Sequence, residues 1–385
     1  MFSRLSLAAI GISTLVAAAP NFGSSQQRCS SVSFKLSATA ENAVFASPPN
    51  PENETAIEAF VKSAFSANPP ATDGTVPASG TFTINGIYCK PTVPMPHRGA
   101  AIQILVHGIT YNKTMWSGLG FGDQYDWHKF ANAQGYHTLA IDRLGHGLDQ
   151  GGQPWQRQQY PDPLNVVQGA MHVELAHQLI TALRTNNTGH ALDRGFDKIA
   201  YVGHSYGSFI GEALARVYPE DADALVLTGY STSLNLGAGS ALQVASAANL
   251  FPARYGRLPL GYVTIAEETQ REAVFYAGAY DKRIPQVDYL FEDTVTDGEI
   301  GALAFTLQPA TTYKNPVMVV TGALDAFFCG GPGSCESALN ATGQFFPATS
   351  NFEYYAPADT GHDLTLHYSA PVTLQKVHDF LNKFF

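Results

Sequence analysis

The sequence has few charged residues and no cluster of basic side chains. Only 14% of its 385 residues are charged, and the 22 lysines and arginines are outnumbered by 32 aspartates and glutamates. A protein that binds nucleic acid requires clustered lysine and arginine, so the absence of a basic run excludes that class of partner. Aromatic residues make up 11% of the chain, which argues against a disordered protein.

No segment of the sequence is long and apolar enough to span a bilayer, which takes about 20 consecutive apolar residues. The apolar run Leu5–Val16 is shorter than this, follows Arg4 and ends in three alanines at 17–19. This arrangement is typical of a signal peptide. We therefore expect residues 1–19 to be a signal peptide and the mature chain to be secreted and extracellular, with Pro20 an unfavourable residue directly after the cleavage point.

Cysteine is also scarce, and its even number predicts disulfide bonds in an exported protein. Four cysteines allow three pairings. Cys329 and Cys335 are close enough in sequence to close one short loop, which leaves Cys29 to pair with Cys89. We prefer this pairing on proximity alone, and the alternative is four free buried thiols.

Four Asn-X-Ser/Thr sequons indicate export independently of the cysteines. They begin at Asn53, Asn112, Asn186 and Asn340. A single sequon is weak evidence, but four together are typical of a glycosylated secretory protein. We therefore expect N-glycans at these four positions.

Strand-like and helix-like segments alternate along most of the chain. Short apolar runs such as Ala101–Val106 and Lys198–Val202 are typical of buried parallel strands, whereas Val166–Leu183 has the apolar spacing of a helix. Such alternation implies crossover connections and a mostly parallel sheet that is covered on both faces. The sequence therefore predicts an α/β fold.

Two segments depart from this alternation. Residues 20–80 are rich in Pro, Ala, Ser and Asn, with one helical stretch near Glu54–Phe65, and we expect an N-terminal extension packed on the body. Residues 231–311 lie between two core strands and are too long for a plain loop, so we expect an inserted, mostly helical cap. The core would then comprise residues 81–230 and 312–385.

The strongest motif is Gly-His-Ser-Tyr-Gly at residues 203–207, of the form Gly-x-Ser-x-Gly. It follows the apolar strand Ile199–Val202 and precedes a helix, which is the context that a nucleophile elbow requires. Side chains at Gly203 or Gly207 would clash with neighbouring elements in such a tight turn. We predict that the turn raises the hydroxyl of Ser205 above the sheet. The alternative is a serine in an ordinary strand-to-helix turn.

A serine hydroxyl is a weak nucleophile, so it needs an adjacent base and an acid that orients the base. Both should follow later strands. Asp325 comes just after the predicted strand Pro316–Thr321, and His362 lies in the loop after the predicted strand Asn351–Ala356. We therefore predict Asp325 as the acid and His362 as the base for Ser205.

Three other residues near the C-terminus compete for these two roles. His367 is the alternative base, and Asp359 or Asp363 is the alternative acid. Both aspartates are so close to His362 in sequence that their geometry toward its imidazole is awkward. His362 is favoured as the base because a glycine precedes it and frees the loop.

Attack on an ester creates an oxyanion, which needs two fixed backbone N–H donors. The amide of Tyr206, at the start of a helix, is the first predicted donor. The amide of Ile109, in the His-Gly-Ile-Thr loop at residues 107–110, is the natural second. We expect His107 to stabilise this loop by hydrogen bonds rather than to react. The hydroxyl of Thr110 is a further candidate contact.

These motifs together resemble the α/β-hydrolase superfamily, most of all its capped serine esterases and lipases, including secreted fungal ones. The resemblance extends from about residue 80 to the C-terminus. It implies an eight-stranded, mostly parallel sheet with helices on both faces, a helical cap insertion, and Ser205, Asp325 and His362 as a catalytic triad. The segments that carry it are His107-Gly108, Asp142–Gly147, Gly203–Gly207, Gly322–Asp325 and Gly361-His362.

The resemblance also bears on residues outside the triad. In this fold Asp142 and Arg143 more often hold the turn after their strand than take part in chemistry. Epoxide hydrolases and haloalkane dehalogenases of similar fold use Asp at the elbow, so Ser205 argues against both and leaves acyl chemistry. The spacing of histidines and cysteines is not typical of a metal site, and we expect no metal or cofactor.

The expected cap is apolar, and such a lid suggests an apolar acyl or aryl group beneath it. We therefore expect a secreted serine hydrolase that cleaves lipophilic carboxylic esters through an acyl-enzyme. The alternatives are an acyltransferase, thioesterase or lactonase with the same triad, or a non-catalytic binding protein. The oligomeric state is not indicated. The apolar cap residues, some of which would pack the cap's own core, are Leu234, Leu236, Leu242, Leu250, Phe251, Tyr255 and Phe275.

Overall fold

The computed structural model describes residues 28–93, 95–147, 160–329, 333–349 and 351–385. The expected signal peptide lies outside the described residues. The strands are β1 (Arg28–Phe45), β2 (Thr72–Lys90), β3 (Ala101–Val106), β4 (His137–Ile141), β5 (Lys198–His204), β6 (Ala224–Thr228), β7 (Val244–Ser246), β8 (Tyr262–Ile265), β9 (Val295–Thr296), β10 (Val317–Val320) and β11 (Phe352–Tyr355).

Helices follow most of these strands, as alternating α/β topology requires. The α-helices are α1 (Glu54–Ser63), α2 (Trp127–Ala133), α3 (Gly169–Arg184), α4 (Tyr206–Val217), α5 (Leu236–Ala241), α6 (Ala247–Leu250), α7 (Pro252–Tyr255), α8 (Glu268–Phe275), α9 (Ile284–Leu290), α10 (Asp297–Gly301), α11 (Cys335–Thr342) and α12 (Ala370–Leu381). In the described part of the chain, no helix combines the length and the apolar character that crossing a membrane would take.

An eight-stranded sheet forms the centre of the fold, in the order β1-β2-β4-β3-β5-β6-β10-β11. The pairs from β4 to β11 are all parallel, whereas β2 is antiparallel to both of its neighbours. Every residue of β3, β4, β6 and β10 is buried, as expected of parallel strands that are covered on both faces. The predicted α/β-hydrolase fold with a mostly parallel sheet of eight strands is confirmed.

The N-terminal segment differs from the expected extension, because β1 is an edge strand of the main sheet. It pairs with β2 over almost its whole length. Residue 80, the expected end of the extension, lies inside β2 and is therefore not a boundary. Buried and exposed residues alternate along β1, and Phe34 and Leu36 are among the buried ones. Two of the other buried positions hold the small residues Ala38 and Ala40, and a third holds the polar Asn42, so the period of two gave a weak hydrophobic signal in the sequence.

Both disulfide bonds join the cysteines that proximity in the sequence favoured. Cys29 and Cys89 face each other in the register of β1 and β2 and are bonded. Cys329 and Cys335 close the loop between β10 and α11. The first bridge therefore fastens the edge strand to the sheet, and the second closes the loop that follows Asp325.

The segment 231–311 contains both helices and strands. It includes α5 to α10 and a separate antiparallel sheet in the order β7-β8-β9. Part of this segment has its own small hydrophobic cluster, which includes Tyr255, Leu258 and Tyr262. Other side chains of the segment, such as Phe275, pack against the main core and reach the loops at the carboxyl ends of the parallel strands.

Candidate active site

Ser205 occupies a sharp turn between β5 and α4. Its φ is +52° and its ψ is −116°, a left-handed conformation that a residue with a side chain rarely adopts. A Cβ atom at Gly203 would overlap the backbone of Gly207, and one at Gly207 would overlap the carbonyl of Val106. The two glycines are therefore required by the close approach of backbone, and the turn has the geometry of a nucleophile elbow.

His362 and Asp325 form a buried hydrogen-bonded pair beside this turn. Nδ1 of His362 is 2.7 Å from Oδ2 of Asp325. The other carboxylate oxygen of Asp325 accepts hydrogen bonds from the backbone amides of Phe327 and Phe328, at 2.8 and 3.1 Å. The carboxylate is thus held by its own loop and, in turn, fixes the orientation of the imidazole.

The imidazole of His362 lies against the elbow and is surrounded by aromatic rings. Its ring centroid is 4.9 Å from that of His204, the residue before Ser205. The rings of Phe275, Phe327 and Phe328 lie at 5.4, 5.0 and 5.6 Å. Burial lowers the pKa of His362, but the charge and hydrogen bond of Asp325 outweigh it, so the pKa is raised above its ordinary value.

The loop at residues 107–110 passes directly beside the serine. A Cβ atom at Gly108 would lie only 2.9 Å from Cβ of Ser205, so this position also requires glycine. The backbone amides of Ile109 and Tyr206 donate no hydrogen bond to any described residue. Neither amide is therefore occupied by a described residue.

The sequence profile of the alpha/beta hydrolase family matches residues 103–374, which is most of the chain. The chain belongs to the alpha/beta hydrolase family. The matched part includes the elbow, the loop at residues 107–110, and both members of the His362–Asp325 pair. No curated protein sequence matches this family member.

Solved structures of other proteins are similar to this alpha/beta hydrolase. The protein Rv0554 from Mycobacterium tuberculosis has 15% identity and a TM-score of 0.49, over 80% of this chain and 96% of its own. The enol-lactonase from Burkholderia xenovorans has 16% identity and a TM-score of 0.46, over 78% and 97%. An alpha/beta hydrolase fold protein from Chitinophaga pinensis has 14% identity and a TM-score of 0.44, over 78% and 94%.

The alternative base and acids have other partners in this alpha/beta hydrolase. Both ring nitrogens of His367 bond to backbone groups of Asp363, Gly361 and Ala277. Asp359 is exposed, and its carbonyl accepts a hydrogen bond from the amide of Ala279 at 2.8 Å. Asp363 bonds to His204 rather than to His362. His367 is therefore not in the position of the alternative base, and neither aspartate bonds to His362 as the alternative acid would.

Sequence reasoning missed the pair formed by His204 and Asp363. Nε2 of His204 is 3.0 Å from Oδ1 of Asp363, and Nδ1 is 3.1 Å from the hydroxyl of Thr228. Burial lowers the pKa of His204 despite the carboxylate. The sequence did offer one signal for this pair, because each member is adjacent to a predicted site residue. His204 precedes Ser205, and Asp363 follows His362. The pair joins the elbow to the loop that carries the histidine.

Arg143 holds the first half of the loop at residues 107–110, as the structural role expected for it requires. Its backbone amide donates to Nε2 of His107, and its guanidinium donates to the carbonyls of His107 and Gly108, each at 3.1 Å. Asp142, the residue before it, accepts hydrogen bonds from the backbone and the ammonium of Lys113. Both side chains fix loops near the serine.

The guanidinium of Arg143 also binds Glu299, which accepts hydrogen bonds from His146 and His172 at 2.9 Å. The ligand atoms of Glu299 and the two histidines lie within 4.8 Å of one another, so these residues are spaced closely enough to hold a metal ion. Arg143 already supplies a positive charge to the same carboxylate. Despite burial, that charge holds the pKa of Glu299 well below its ordinary value, whereas burial lowers the pKa of His172 to about 4.

The structure contradicts one predicted glycosylation site. Asn112 is only 5% exposed, and its Nδ2 atom, to which a glycan would be attached, donates to Asp293 at 3.2 Å. A sugar on this nitrogen would have to displace the buried carboxylate, so the folded chain cannot carry it. Asn53, Asn186 and Asn340 are exposed and remain predicted sites.

Proposed function

We propose that this alpha/beta hydrolase is a serine hydrolase of carboxylic esters, with Ser205 as nucleophile, His362 as general base and Asp325 as the orienting carboxylate. The observation that carries the proposal is the 2.7 Å bond between His362 and Asp325 beside a left-handed serine turn. The amides of Tyr206, in this turn, and Ile109, in the neighbouring loop, donate to no described residue, which supports it. This combination of base, orienting acid and oxyanion donors matches the requirements of acyl transfer.

The hydrogen bond to Asp325 decides which ring nitrogen does the chemistry. Nδ1 of His362 donates to the carboxylate, so Nε2 carries the lone pair that accepts the proton of the Ser205 hydroxyl. The serine oxygen then attacks the acyl carbon. The carbonyl oxygen becomes an oxyanion, which the amides of Ile109 and Tyr206 stabilise.

Collapse of the tetrahedral intermediate breaks the ester bond, and His362 gives its proton to the departing alcohol oxygen. The acyl group is then bonded to Ser205. Water attacks this acyl-enzyme while His362 takes its proton, and a second tetrahedral intermediate releases the carboxylic acid and regenerates the serine. Each proton therefore passes through Nε2, and Asp325 stabilises the imidazolium without becoming protonated.

The surroundings of His362 favour a lipophilic ester. Phe327 and Phe328 come from the loop after β10, and Phe275 comes from the segment 231–311. Three apolar rings this close to the base favour an apolar acyl or alcohol group. We assign the segment 231–311 as the cap because it places Phe275 against the base.

Secretion is part of the proposal. Two disulfide bonds and three exposed sequons support an oxidising export route for the mature chain, after removal of residues 1–19. The mature, glycosylated protein is therefore the form to test.

A fluorophosphonate probe tests the nucleophile directly, because it labels a serine activated by a base. We expect wild-type protein to be labelled and Ser205→Ala to be unlabelled. Ser208→Ala is a matched control, since Ser208 lies three residues further on, in α4, and its hydroxyl donates to the backbone of Thr228 at 2.8 Å. Equal labelling of Ser205→Ala and wild type would refute Ser205 as nucleophile.

Turnover of p-nitrophenyl esters of increasing acyl length tests the substrate class. We expect these esters to be hydrolysed. The acyl length with the highest kcat/KM should indicate how long an apolar chain fits beside Phe275. Labelling without turnover of any ester would contradict ester hydrolysis and favour acyl transfer, thioester or lactone chemistry with the same three residues.

A further inference from the structure

Thr110, next to the predicted oxyanion donor Ile109, has a strained backbone. Its φ is +56°, in the left-handed region. A β-branched residue is a genuine outlier there, and such strain persists only where the surrounding structure imposes it. The amide of Thr110 shares its peptide group with the carbonyl of Ile109, so whatever fixes Thr110 also restricts Ile109 from its C-terminal side.

The groups that hold Thr110 all come from the segment 231–311. Its amide donates to the carbonyl of Thr294 at 3.1 Å, and its carbonyl accepts from the amide of Asp293 at 2.9 Å. Arg271 donates to the Thr110 hydroxyl at 2.7 Å and, more weakly, to its carbonyl at 3.4 Å. Every polar atom of Thr110 is therefore bonded to this one segment.

Arg271 is itself fully buried, with 0% of its surface exposed. Its Nε and Nη2 atoms donate to the two oxygens of Asp288 at 2.7 and 2.9 Å, and Nη1 donates to Glu292 at 3.1 Å. With the two bonds to Thr110, the five N–H groups of the guanidinium are all used. Its carbon lies 4.6 Å from the ring centroid of Tyr111, the residue after Thr110.

Only an arginine side chain can make all of these contacts at position 271. The planar guanidinium directs donors to a carboxylate on one edge and to Thr110 on the other, and its face stacks on the ring of Tyr111. A lysine ammonium has three donors and no planar face, so it could satisfy only part of this set. The side chain is therefore matched to the loop rather than serving only as a charge for Asp288.

We propose that Arg271 is a positioning residue for the oxyanion hole: it holds Thr110 in the left-handed conformation and thereby limits the backbone rotation of Ile109, the predicted oxyanion donor. Arg143 holds the other side of Ile109, through the carbonyl of Gly108. The inference rests on the proposed function, because it assigns Arg271 a task in the same reaction. Arg271 does not contact the reacting atoms and acts only through the loop.

Thr110→Val tests this with the smallest change, since it keeps the shape of the side chain and removes the hydroxyl that Arg271 binds. We expect kcat per fluorophosphonate-titrated site to fall by roughly 100-fold, as misplacement of a reacting or stabilising group typically causes, with KM nearly unchanged. Arg271→Lys should act in the same direction. Thr110→Ser keeps the hydroxyl and should restore kcat to nearly the wild-type value.

A trifluoromethyl ketone separates positioning from loss of folded protein. The hydroxyl of Ser205 adds to its carbonyl carbon, the proton passes to His362, and the carbonyl oxygen becomes an oxyanion in the oxyanion hole. We expect the inhibition constant to rise in parallel with the loss of kcat/KM in Thr110→Val and Arg271→Lys. Arg184→Lys, which alters a more exposed pair with Asp223 away from the site, should leave both constants unchanged.

The outcomes are distinguishable. If Thr110→Val keeps wild-type kcat per titrated site, or loses kcat without weaker binding of the ketone, the positioning role is refuted while the proposed function stands. If wild-type protein neither labels nor turns over esters, the proposed function itself fails. If Arg271→Lys does not fold, the comparison of Thr110→Val with Thr110→Ser decides the question alone.

Discussion

Two His–Asp pairs lie side by side at the elbow, with their imidazole centroids 4.9 Å apart. In one, His362 bonds to Asp325 at 2.7 Å, and in the other, His204 bonds to Asp363 at 3.0 Å. Both pairs are buried. In sequence the His204–Asp363 pair encloses the other, since His204 directly precedes Ser205 and Asp363 directly follows His362.

The two pairs differ in what the second ring nitrogen meets. Nδ1 of His204 bonds to Thr228, whose hydroxyl donates to the carbonyl of Gly203, so this imidazole is held at both nitrogens. The imidazole of His362 bonds to the described residues only through Nδ1. Burial dominates the pKa of His204 and lowers it, whereas the pKa of His362 is raised. A His–Asp pair is thus suited to chemistry only where one nitrogen is left for the substrate side.

Of the substitutions that distinguish the two His–Asp pairs, Asp325→Asn should cause the largest loss of kcat. An amide in place of the carboxylate no longer stabilises the imidazolium and favours the wrong tautomer, so kcat should fall by roughly 10⁴-fold. The pKa of His362 should also fall, because the charge that raises it is gone. We would measure kcat per titrated site as a function of pH. A loss of less than tenfold would contradict the role of Asp325.

The pH dependence of the wild-type enzyme comes next in size. His362 must be neutral to accept the serine proton, and its pKa is raised above the ordinary value of about 6.5. Below this raised pKa, kcat/KM should fall about tenfold per pH unit, and above it the rate should reach a plateau. A rate that stays constant well below pH 6.5 would show that His362 is not the base.

Asp363→Asn makes the same chemical change in the second pair and should affect kcat least, within about tenfold of wild type. Its main cost should be stability, because the carboxylate accepts from both His204 and Tyr111 in a buried site. We expect the free energy of unfolding to fall by about 1–3 kcal/mol, as measured by urea denaturation. A loss of kcat as large as that of Asp325→Asn would remove the distinction between the pairs.

The sequence predicts the elbow and its partners well because their signals are local. A tight turn at Ser205 requires glycines two residues away on each side, and Asp325 and His362 each follow a short apolar strand. The strand predicted at Ala101–Val106 has those bounds in the structure. By contrast, β1 was missed because alanine, serine and threonine dilute its alternation.

The contacts of Arg271 could not be predicted from the sequence. It lies in α8, a helix without a distinguishing motif, and meets Thr110 across a separation of 161 residues. The sequon at Asn112 fails for a related reason. Its three letters are local, but the carboxylate that buries its amide nitrogen belongs to Asp293, far along the chain. Local patterns identify chemistry, while burial depends on partners that the pattern does not contain.

The dependence of Thr110 on the segment 231–311 has a consequence for chimeric enzymes. Exchanging this insertion for that of another hydrolase, in order to transplant a substrate preference, would also remove Arg271, Asp293 and Thr294 from the loop at residues 107–110. The chimera would keep Ser205 and lose the contacts that hold Thr110, next to the amide of Ile109. A functional graft should therefore carry the loop and the insertion together, as one exchangeable module.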